Sequence, residues 1–107
     1  VKKMNKAYQE NVNAMVREQY MQAMSEYRKQ HSTYKRLRSC TAEVCETENY
    51  YVLRSYNTIV AVIAKEHGQL YDALRMVYGF TSTSAQHISK FYLDYGFAPQ
   101  KYTYRDI

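Results

Sequence analysis

The sequence predicts an α+β fold in which a long amphipathic helix precedes a β-hairpin and a C-terminal helix. Three observations support this class. Helix-forming residues fill the first third of the chain, a dense apolar run follows at 59–64, and a hydroxyl-rich helix start lies at 81–84. A chain of 107 residues can bury roughly two-thirds of the surface that its unfolded form exposes. We therefore expect a single domain over 1–107, with a basic helical arm at 1–38 and an αβ core at 46–107.

The first predicted element is a helix over 3–37. Apolar and aromatic side chains recur there every three or four positions, a spacing that places them along one helical face. They are Tyr8, Val12, Val16, Tyr20, Met24, Tyr27, His31 and Tyr34. Neither Pro nor Gly interrupts the run, although Ser32 and Thr33 can cap a new turn. The stripe either packs on the sheet or, if the helix is longer than the domain can cover, pairs with a second copy or a partner protein.

The positive charge of the chain is concentrated in this helical arm. Residues 1–39 contain nine Lys and Arg against three Glu. Cations neutralise phosphates and an aromatic ring can stack on bases, so the densest segment, 28–38, predicts contact with a nucleic-acid backbone or an acidic protein surface. The alternative is a solvated helix end whose cations face the helix dipole. The candidate binding residues are Arg28, Lys29, Tyr34, Lys35, Arg36 and Arg38.

Two cysteines, Cys40 and Cys45, are separated by four residues. A structural zinc site usually needs four ligands, and the histidines that would complete a set, His67 and His87, lie twenty residues apart. Nearby glutamates also oppose formation of a thiolate. We therefore expect reduced structural cysteines, no metal and no cofactor.

The segment 50–65 is predicted to form a strand, or two strands with a bend, because β-branched and aromatic side chains dominate it. Its second half, 59–64, is apolar on both faces, which favours a central strand covered on both sides. The polar stretch 54–58 indicates a bulge or an edge. A turn containing Gly68 should follow.

The next segment, 69–77, has two interpretations. Its apolar residues fit a strand face, which would complete a β-hairpin with 50–65, and they also fit a helical face. The helical alternative, with Gly79 as its C-cap, would turn 69–95 into a helix-turn-helix. The two alternatives lead to different functions, since only the second resembles a DNA-reading arrangement.

A C-terminal helix is predicted over 82–95. Ser82 or Thr83 can cap its start, and Gly96 ends it. In the tail at 100–105, aromatic and polar residues alternate, a pattern that predicts a terminal strand. Polar residues on the outer side of the helix are of the types that read base edges or bind phosphates, although they are equally ordinary on a solvated face. They are Gln86, Ser89 and Lys90.

Three short blocks carry a resemblance to known proteins. The first is Ser-Tyr-Asn-Thr at 55–58 with Val-Ala at 60–61, the second is Leu-Tyr at 70–71, and the third is 78–84, with His, Ile and Phe at 87, 88 and 91. On these blocks the chain resembles a family of small uncharacterised proteins from phages and mobile elements of Gram-positive bacteria. The resemblance implies the order strand, strand, helix. It also implies an accessory protein acting on host or phage machinery, the context from which anti-CRISPR proteins come, but no catalytic residue.

No sequence motif indicates an enzyme. The chain has no phosphate-cradling Gly loop, and its histidines are dispersed. The first expectation is a non-catalytic, phage-type binding protein that inhibits a host nucleic-acid-targeting complex through a Tyr-rich, basic surface. The alternatives are a DNA-binding transcriptional regulator, dimeric through the long helix, and a structural or assembly component of a phage particle.

Composition sets the expected partners and location. Thirteen tyrosines can supply rigid contact area, although they can equally rim the core. The expected partner is a host protein or ribonucleoprotein effector, with DNA or RNA backbone contact and a homodimer through the long helix as further candidates. No apolar run approaches the roughly 20 residues that span a bilayer, and no signal-peptide core is present. We therefore expect no membrane contact and a location in the host cytoplasm.

Overall fold

The computed structural model describes residues 5–107, in which a six-stranded sheet lies between two helices. This arrangement confirms the α+β class. The elements in chain order are α1 (Lys6–Lys29), β1 (Lys35–Arg36), β2 (Ala42–Glu46), β3 (Tyr50–Ser55), β4 (Thr58–Ala64), β5 (Leu70–Asp72), α2 (Leu74–Val77), α3 (Ser82–Tyr95) and β6 (Lys101–Thr103).

The first helix, α1, is shorter than the sequence indicates. Its start is fixed by Asn5, whose side-chain oxygen accepts a hydrogen bond of 3.0 Å from the backbone N–H of Tyr8. Residues 3 and 4 of the predicted helix lie outside the described residues. The prediction that it continues to 37 is wrong, because α1 ends at Lys29. Residues 31–34 are weak helix formers, and the backbone of Ser32 donates instead to the Glu46 carbonyl at 2.9 Å, so the chain turns back along β2.

The sheet follows the chain order β1-β2-β3-β4-β5-β6, antiparallel except for the parallel β5–β6 pair. The predicted segment 50–65 is two strands, β3 and β4, joined by a two-residue turn with Tyr56 at φ +59°. Leu53 pairs with Ala61 while Arg54 pairs with Ile59, so β4 has one extra residue, and a bulge lies at the edge of the predicted stretch 54–58. β4 is buried from Ile59 to Ala64, as its two apolar faces predict.

The ambiguous segment 69–77 combines both interpretations. Its first residues form β5, which pairs with β4, and its last residues form α2, a single helical turn. The strand stops because the Asp72 carboxylate accepts a 3.0 Å hydrogen bond from the backbone N–H of Leu74, which bends the chain. The helix-turn-helix alternative for 69–95 does not form, because one turn is too short to support α3.

The helices cover opposite faces of the sheet. α1 packs on the face that includes Val52, Val62 and Tyr71, through Val12, Val16 and Ala23. On the other face, α3 packs against Leu53 and Ile63 through Ile88 and Phe91. α3 has the predicted bounds, although its N-cap is Thr81, one residue earlier than expected. No helix in the described part of the chain is both long and apolar enough to cross a membrane.

Candidate functional site

Four of the predicted cations are exposed at the end of α1 and on β1, and together they are here called the basic edge. Arg28 and Lys29 end α1, whereas Lys35 and Arg36 form β1, the outermost strand on that side of the sheet. All four are exposed, and within residues 5–107 none of them takes part in an ion pair. The basic edge therefore presents four positive charges outside any ion pair of the described residues.

Arg38, another predicted contact, is engaged elsewhere. Its Nε and Nη2 atoms donate to the two carboxylate oxygens of Asp94 on α3, at 2.9 and 2.6 Å. The hydrogen bond from Arg38 is the main reason that the pKa of Asp94 lies below its ordinary value. Because this bidentate pair satisfies the guanidinium, Arg38 serves to tie the turn after β1 to α3 and does not belong to the basic edge.

Tyr34 is half-buried behind the basic edge. Its hydroxyl hydrogen-bonds to the Tyr27 hydroxyl, and the guanidinium carbon of Arg54 lies 3.8 Å from its ring centroid. Arg54 in turn forms an ion pair with Glu43. Desolvation and the Tyr27 hydrogen bond raise the pKa of Tyr34 above its ordinary value. One face of the Tyr34 ring is therefore already occupied, which limits its use as a surface for stacking.

His31 is the exposed aromatic group of this region, although it was not among the predicted site residues. Its ring stacks on Tyr27 with a centroid separation of 4.1 Å and an interplanar angle of 12°. Its Nδ1 donates to the Tyr27 carbonyl at 2.8 Å, which fixes the ring orientation at the end of α1. The sequence placed His31 on the helical stripe, but its position within a basic run was the signal that could have identified it.

A cleft of about 610 Å³ opens beside His31, between the end of α1 and the turn joining β2 to β3. Its walls are mainly polar. They are formed by Glu26, Lys29, Gln30, His31, Ser32, Glu46, Thr47 and Glu48.

Two of the three glutamates of the cleft are already satisfied. Glu26 accepts hydrogen bonds from the Thr47 hydroxyl at 2.7 Å and from the backbone and side-chain nitrogens of Asn49 at 2.9 and 2.8 Å. Glu46 forms an ion pair with Lys65. Within the described residues, the side chain of Glu48 has no such partner.

The predicted residues of α3 lie apart from most of the basic edge. Gln86 and Ser89 are exposed and Lys90 is half-buried. They belong to the helix that covers the opposite face of the sheet from α1. Lys35 pairs with Val44, which packs on the α3 side, so it is the β1 cation that faces this helix. The structure therefore divides the nine predicted residues between two faces of the sheet.

A buried polar cluster joins α3 to the turn between β3 and β4. The Ser55 hydroxyl lies 2.9 Å from the Ser84 hydroxyl and 2.8 Å from Nδ1 of His87, and each of these residues is at most 3% exposed. Burial, and to a lesser extent Lys90, lowers the pKa of His87. No carboxylate in the described part of the chain hydrogen-bonds to His87. Because the hydroxyls are closed off from solvent, the cluster fixes α3 on the sheet and offers no accessible nucleophile.

The two cysteines lie on opposite faces of the sheet. Cys45 packs under α1, whereas Cys40 packs on the α3 side, and both are free thiols. Burial raises the pKa of Cys45 to about 11, which keeps it protonated at neutral pH. Among residues 5–107, no three His, Cys, Asp or Glu side chains are grouped to hold a metal ion.

Most tyrosines rim the core. Tyr50 and Tyr71 are buried, and Tyr8, Tyr56 and Tyr78 are more than half exposed. The others pack at the margins of the two clusters that α1 and α3 cover: Tyr20, Tyr27, Tyr34, Tyr51, Tyr92, Tyr95, Tyr102 and Tyr104. The exposed surface of the described residues is therefore poorer in tyrosine than the composition suggests.

No protein-family model, curated protein or solved structure matches this chain. The resemblance to phage and mobile-element proteins accordingly stays a prediction. The basic edge and the cleft beside it are therefore the features of the structure that bear on function.

Proposed function

We propose that the protein is a non-catalytic binding protein that inhibits a host nucleic-acid-targeting complex in the cytoplasm. Its contact surface would be the basic edge. The observation that carries the proposal is the cluster of four exposed cations without a carboxylate partner in the described part of the chain. Such a cluster attracts phosphates strongly and accelerates association with a polyanion. By occupying phosphates that the complex needs, the protein would block its action without any chemistry of its own.

The edge position of these cations also has a simpler explanation. Lysine on an outer strand keeps sheets from pairing edge to edge, and β1 has only two residues in the ladder. That role concerns Lys35 and Arg36. It does not account for Arg28 and Lys29, which lie at the end of α1. A binding role accounts for both pairs of cations, whereas protection of the strand accounts only for the pair on β1.

A pull-down combined with a cleavage assay tests the proposal. At protein excess over a candidate effector, we expect the wild type to bind and to reduce target cleavage. The double substitution Lys35→Glu/Arg36→Glu should abolish both effects by placing negative charge opposite the phosphates.

The matched control is Lys6→Glu/Arg105→Glu, which changes the net charge equally. Lys6 begins α1, roughly 35 Å along the helix from Lys29. Arg105 lies near Asn13 in the N-terminal half of α1. This control should leave inhibition unchanged. Equal loss in both double variants, or unchanged inhibition with Lys35→Glu/Arg36→Glu, would contradict the proposal.

The two alternatives have less support. A DNA-binding regulator is favoured by the exposed Gln86 and Ser89, but α2 is too short to complete a helix-turn-helix with α3. Part of the stripe that would join two copies packs instead against the sheet, through Val12, Val16 and Met24. No feature of the described surface specifically favours a phage structural component.

A further inference from the structure

We infer that the cleft beside the basic edge holds a base of a single-stranded nucleic acid, with His31 as its stacking surface. The inference rests on the proposed function, because the same cations would hold the phosphates, and it names the class of ligand. It combines three observations: the stacked ring of His31, the adjacent cleft and the uncompensated cations.

The ring of His31 is positioned before any ligand arrives. Tyr27 supports one of its faces, and the hydrogen bond from Nδ1 to the Tyr27 carbonyl prevents rotation. Since the residue is exposed and lines the cleft, a flat group can reach it from solvent. A fixed ring loses little conformational entropy when it stacks on a ligand. Tyr34 is less suitable, because the Arg54 guanidinium already covers its ring.

An unpaired base fits this arrangement, whereas a duplex does not. In a duplex both faces of each base are stacked on neighbouring bases, so a ring on the protein surface cannot reach them. Proteins that bind single strands combine aromatic platforms with cations that follow the backbone. Lys29 lines the cleft beside His31, Arg28 precedes it on α1, and Arg36 of β1 lies on the α1 side of the sheet. The phosphates on either side of a stacked base would therefore meet positive charge.

The polar wall of the cleft can distinguish between bases. Gln30 and Glu48 are exposed, and within residues 5–107 their side chains make no hydrogen bond or ion pair. A carboxylate accepts hydrogen bonds, so Glu48 would favour a base with an exocyclic amine, such as cytosine, over uracil. Of the other two glutamates, Glu46 is paired with the Lys65 ammonium group, whereas Glu26 is held by the neutral donors of Thr47 and Asn49 and keeps its negative charge.

Fluorescence anisotropy with labelled oligonucleotides of one length tests the inference on the whole chain. The probes are oligo-dC, oligo-dU and a mixed-sequence duplex. We expect both single strands to bind more tightly than the duplex. Oligo-dC should bind about threefold more tightly than oligo-dU, which differs from it only at the exocyclic group and ring nitrogen of the base. Equal affinity for duplex and single strand, or for dC and dU, would overturn the inference.

Variants separate stacking from charge. His31→Ala should weaken binding of oligo-dC about tenfold, whereas His31→Phe, which keeps a flat ring but loses the hydrogen bond to the Tyr27 carbonyl, should weaken it no more than about threefold. His67→Ala, at an exposed histidine in the turn after β4, is the matched control and should have no effect. Replacing Lys29 and Arg36 by Ala should make the plot of log affinity against log salt less steep by about 1.4. Wild-type affinity in His31→Ala would overturn the stacking role.

The outcomes also separate this inference from the proposed function. If no oligonucleotide binds but the protein still inhibits an effector through Lys35 and Arg36, the inference fails and the proposed function stands. If neither binding nor inhibition occurs, both fail. Should His31→Ala disturb the fold, as circular dichroism would reveal, the His31→Phe variant and the dC–dU comparison on the wild type still decide the question.

Discussion

At the residue scale, Glu26 connects the end of α1 to the turn between β2 and β3. Burial alone would raise its pKa, but the hydrogen bonds from Asn49 and Thr47 outweigh this effect and lower the pKa below its ordinary value. The native carboxylate therefore releases its proton more readily than it does in the unfolded chain. Its stabilising contribution is fully present above the ordinary glutamate pKa of about 4.3 and is lost as the pH falls through the native value.

The substitution Glu26→Gln tests this contribution. We expect it to reduce the free energy of unfolding by about 1 kcal/mol at neutral pH, since the hydrogen bonds lose a charged acceptor. The difference from the wild type should shrink as the pH falls below about 4.3, because the wild-type carboxylate then becomes protonated too. Urea unfolding at a series of pH values measures this difference in the free energy of unfolding. Glu10→Gln, at an exposed position on α1, is the control and should show little difference throughout. A pH-independent difference would contradict the explanation.

At the element scale, the parts that could be predicted are those coded locally. α3 has its hydroxyl cap, apolar face and terminal glycine within one short segment, and the sequence predicts its bounds correctly. β4 is apolar on both faces, so its central position follows from composition alone. β2 and the end of α1 could not be predicted, because they depend on pairing between Ser32 and Glu46, fourteen residues apart. Helix propensity at 31–34 is too weak to prevent that pairing.

The C-terminal strand β6 is held by two amides of α1. Gln9 donates to the Thr103 carbonyl at 2.9 Å, and Asn13 both donates to the Arg105 carbonyl at 2.7 Å and accepts from its N–H at 3.0 Å. Gln9 and Asn13 are buried, so the amides replace the hydrogen bonds that a further strand would supply. They also close this edge of the sheet against another chain.

Asn13→Ala should therefore loosen the C-terminal end of the sheet. The change leaves the backbone N–H and carbonyl of Arg105 without their protein partners, at a cost of about 1–3 kcal/mol. We expect hydrogen exchange of the Arg105 amide to accelerate strongly, while amides of β4 change only through the global loss of stability. Asn11→Ala makes the same exchange of residue type at an exposed position of α1 and should leave Arg105 protected. If the Arg105 amide stays protected from exchange in Asn13→Ala, the hydrogen bonds from Asn13 do not hold the C-terminal end of the sheet.

At the scale of the whole molecule, the candidate site was predictable in charge and unpredictable in geometry. The run from 28 to 38 identifies a basic surface from composition alone. Arg38 does not belong to this surface because it pairs with Asp94, which lies 56 residues away in sequence. The stacked pair of Tyr27 and His31 likewise requires α1 to end where it does, because the histidine must fold back onto the last turn. The local sequence thus determines which residue types are available for the binding surface, whereas the tertiary structure determines which of them lie on it.

The sequence predicts a single domain with a basic helical arm at 1–38 and an αβ core at 46–107, and the packing shows how these two parts are connected. β4 contributes Val62 to the cluster under α1 and Ile63 to the cluster under α3, so one strand joins both layers. Val16 on α1 and Phe91 on α3 are both completely buried, at 0% exposure. An arm that folds independently would not need to share its packing with the central strand. We therefore expect one cooperative transition for the whole described chain.

Two substitutions on opposite faces of the sheet test that expectation. Val16→Ala removes two buried carbons on α1 and should cost about 2 kcal/mol, and Phe91→Leu on α3 should cost a similar amount because each leaves a cavity. In urea, far-ultraviolet circular dichroism, which is weighted toward the helices, and tyrosine fluorescence should report the same midpoint in each variant. The denaturant slope should also stay at the wild-type value. A two-step transition in Val16→Ala, with most of the helical signal lost in the first step, would show instead that α1 unfolds as an arm.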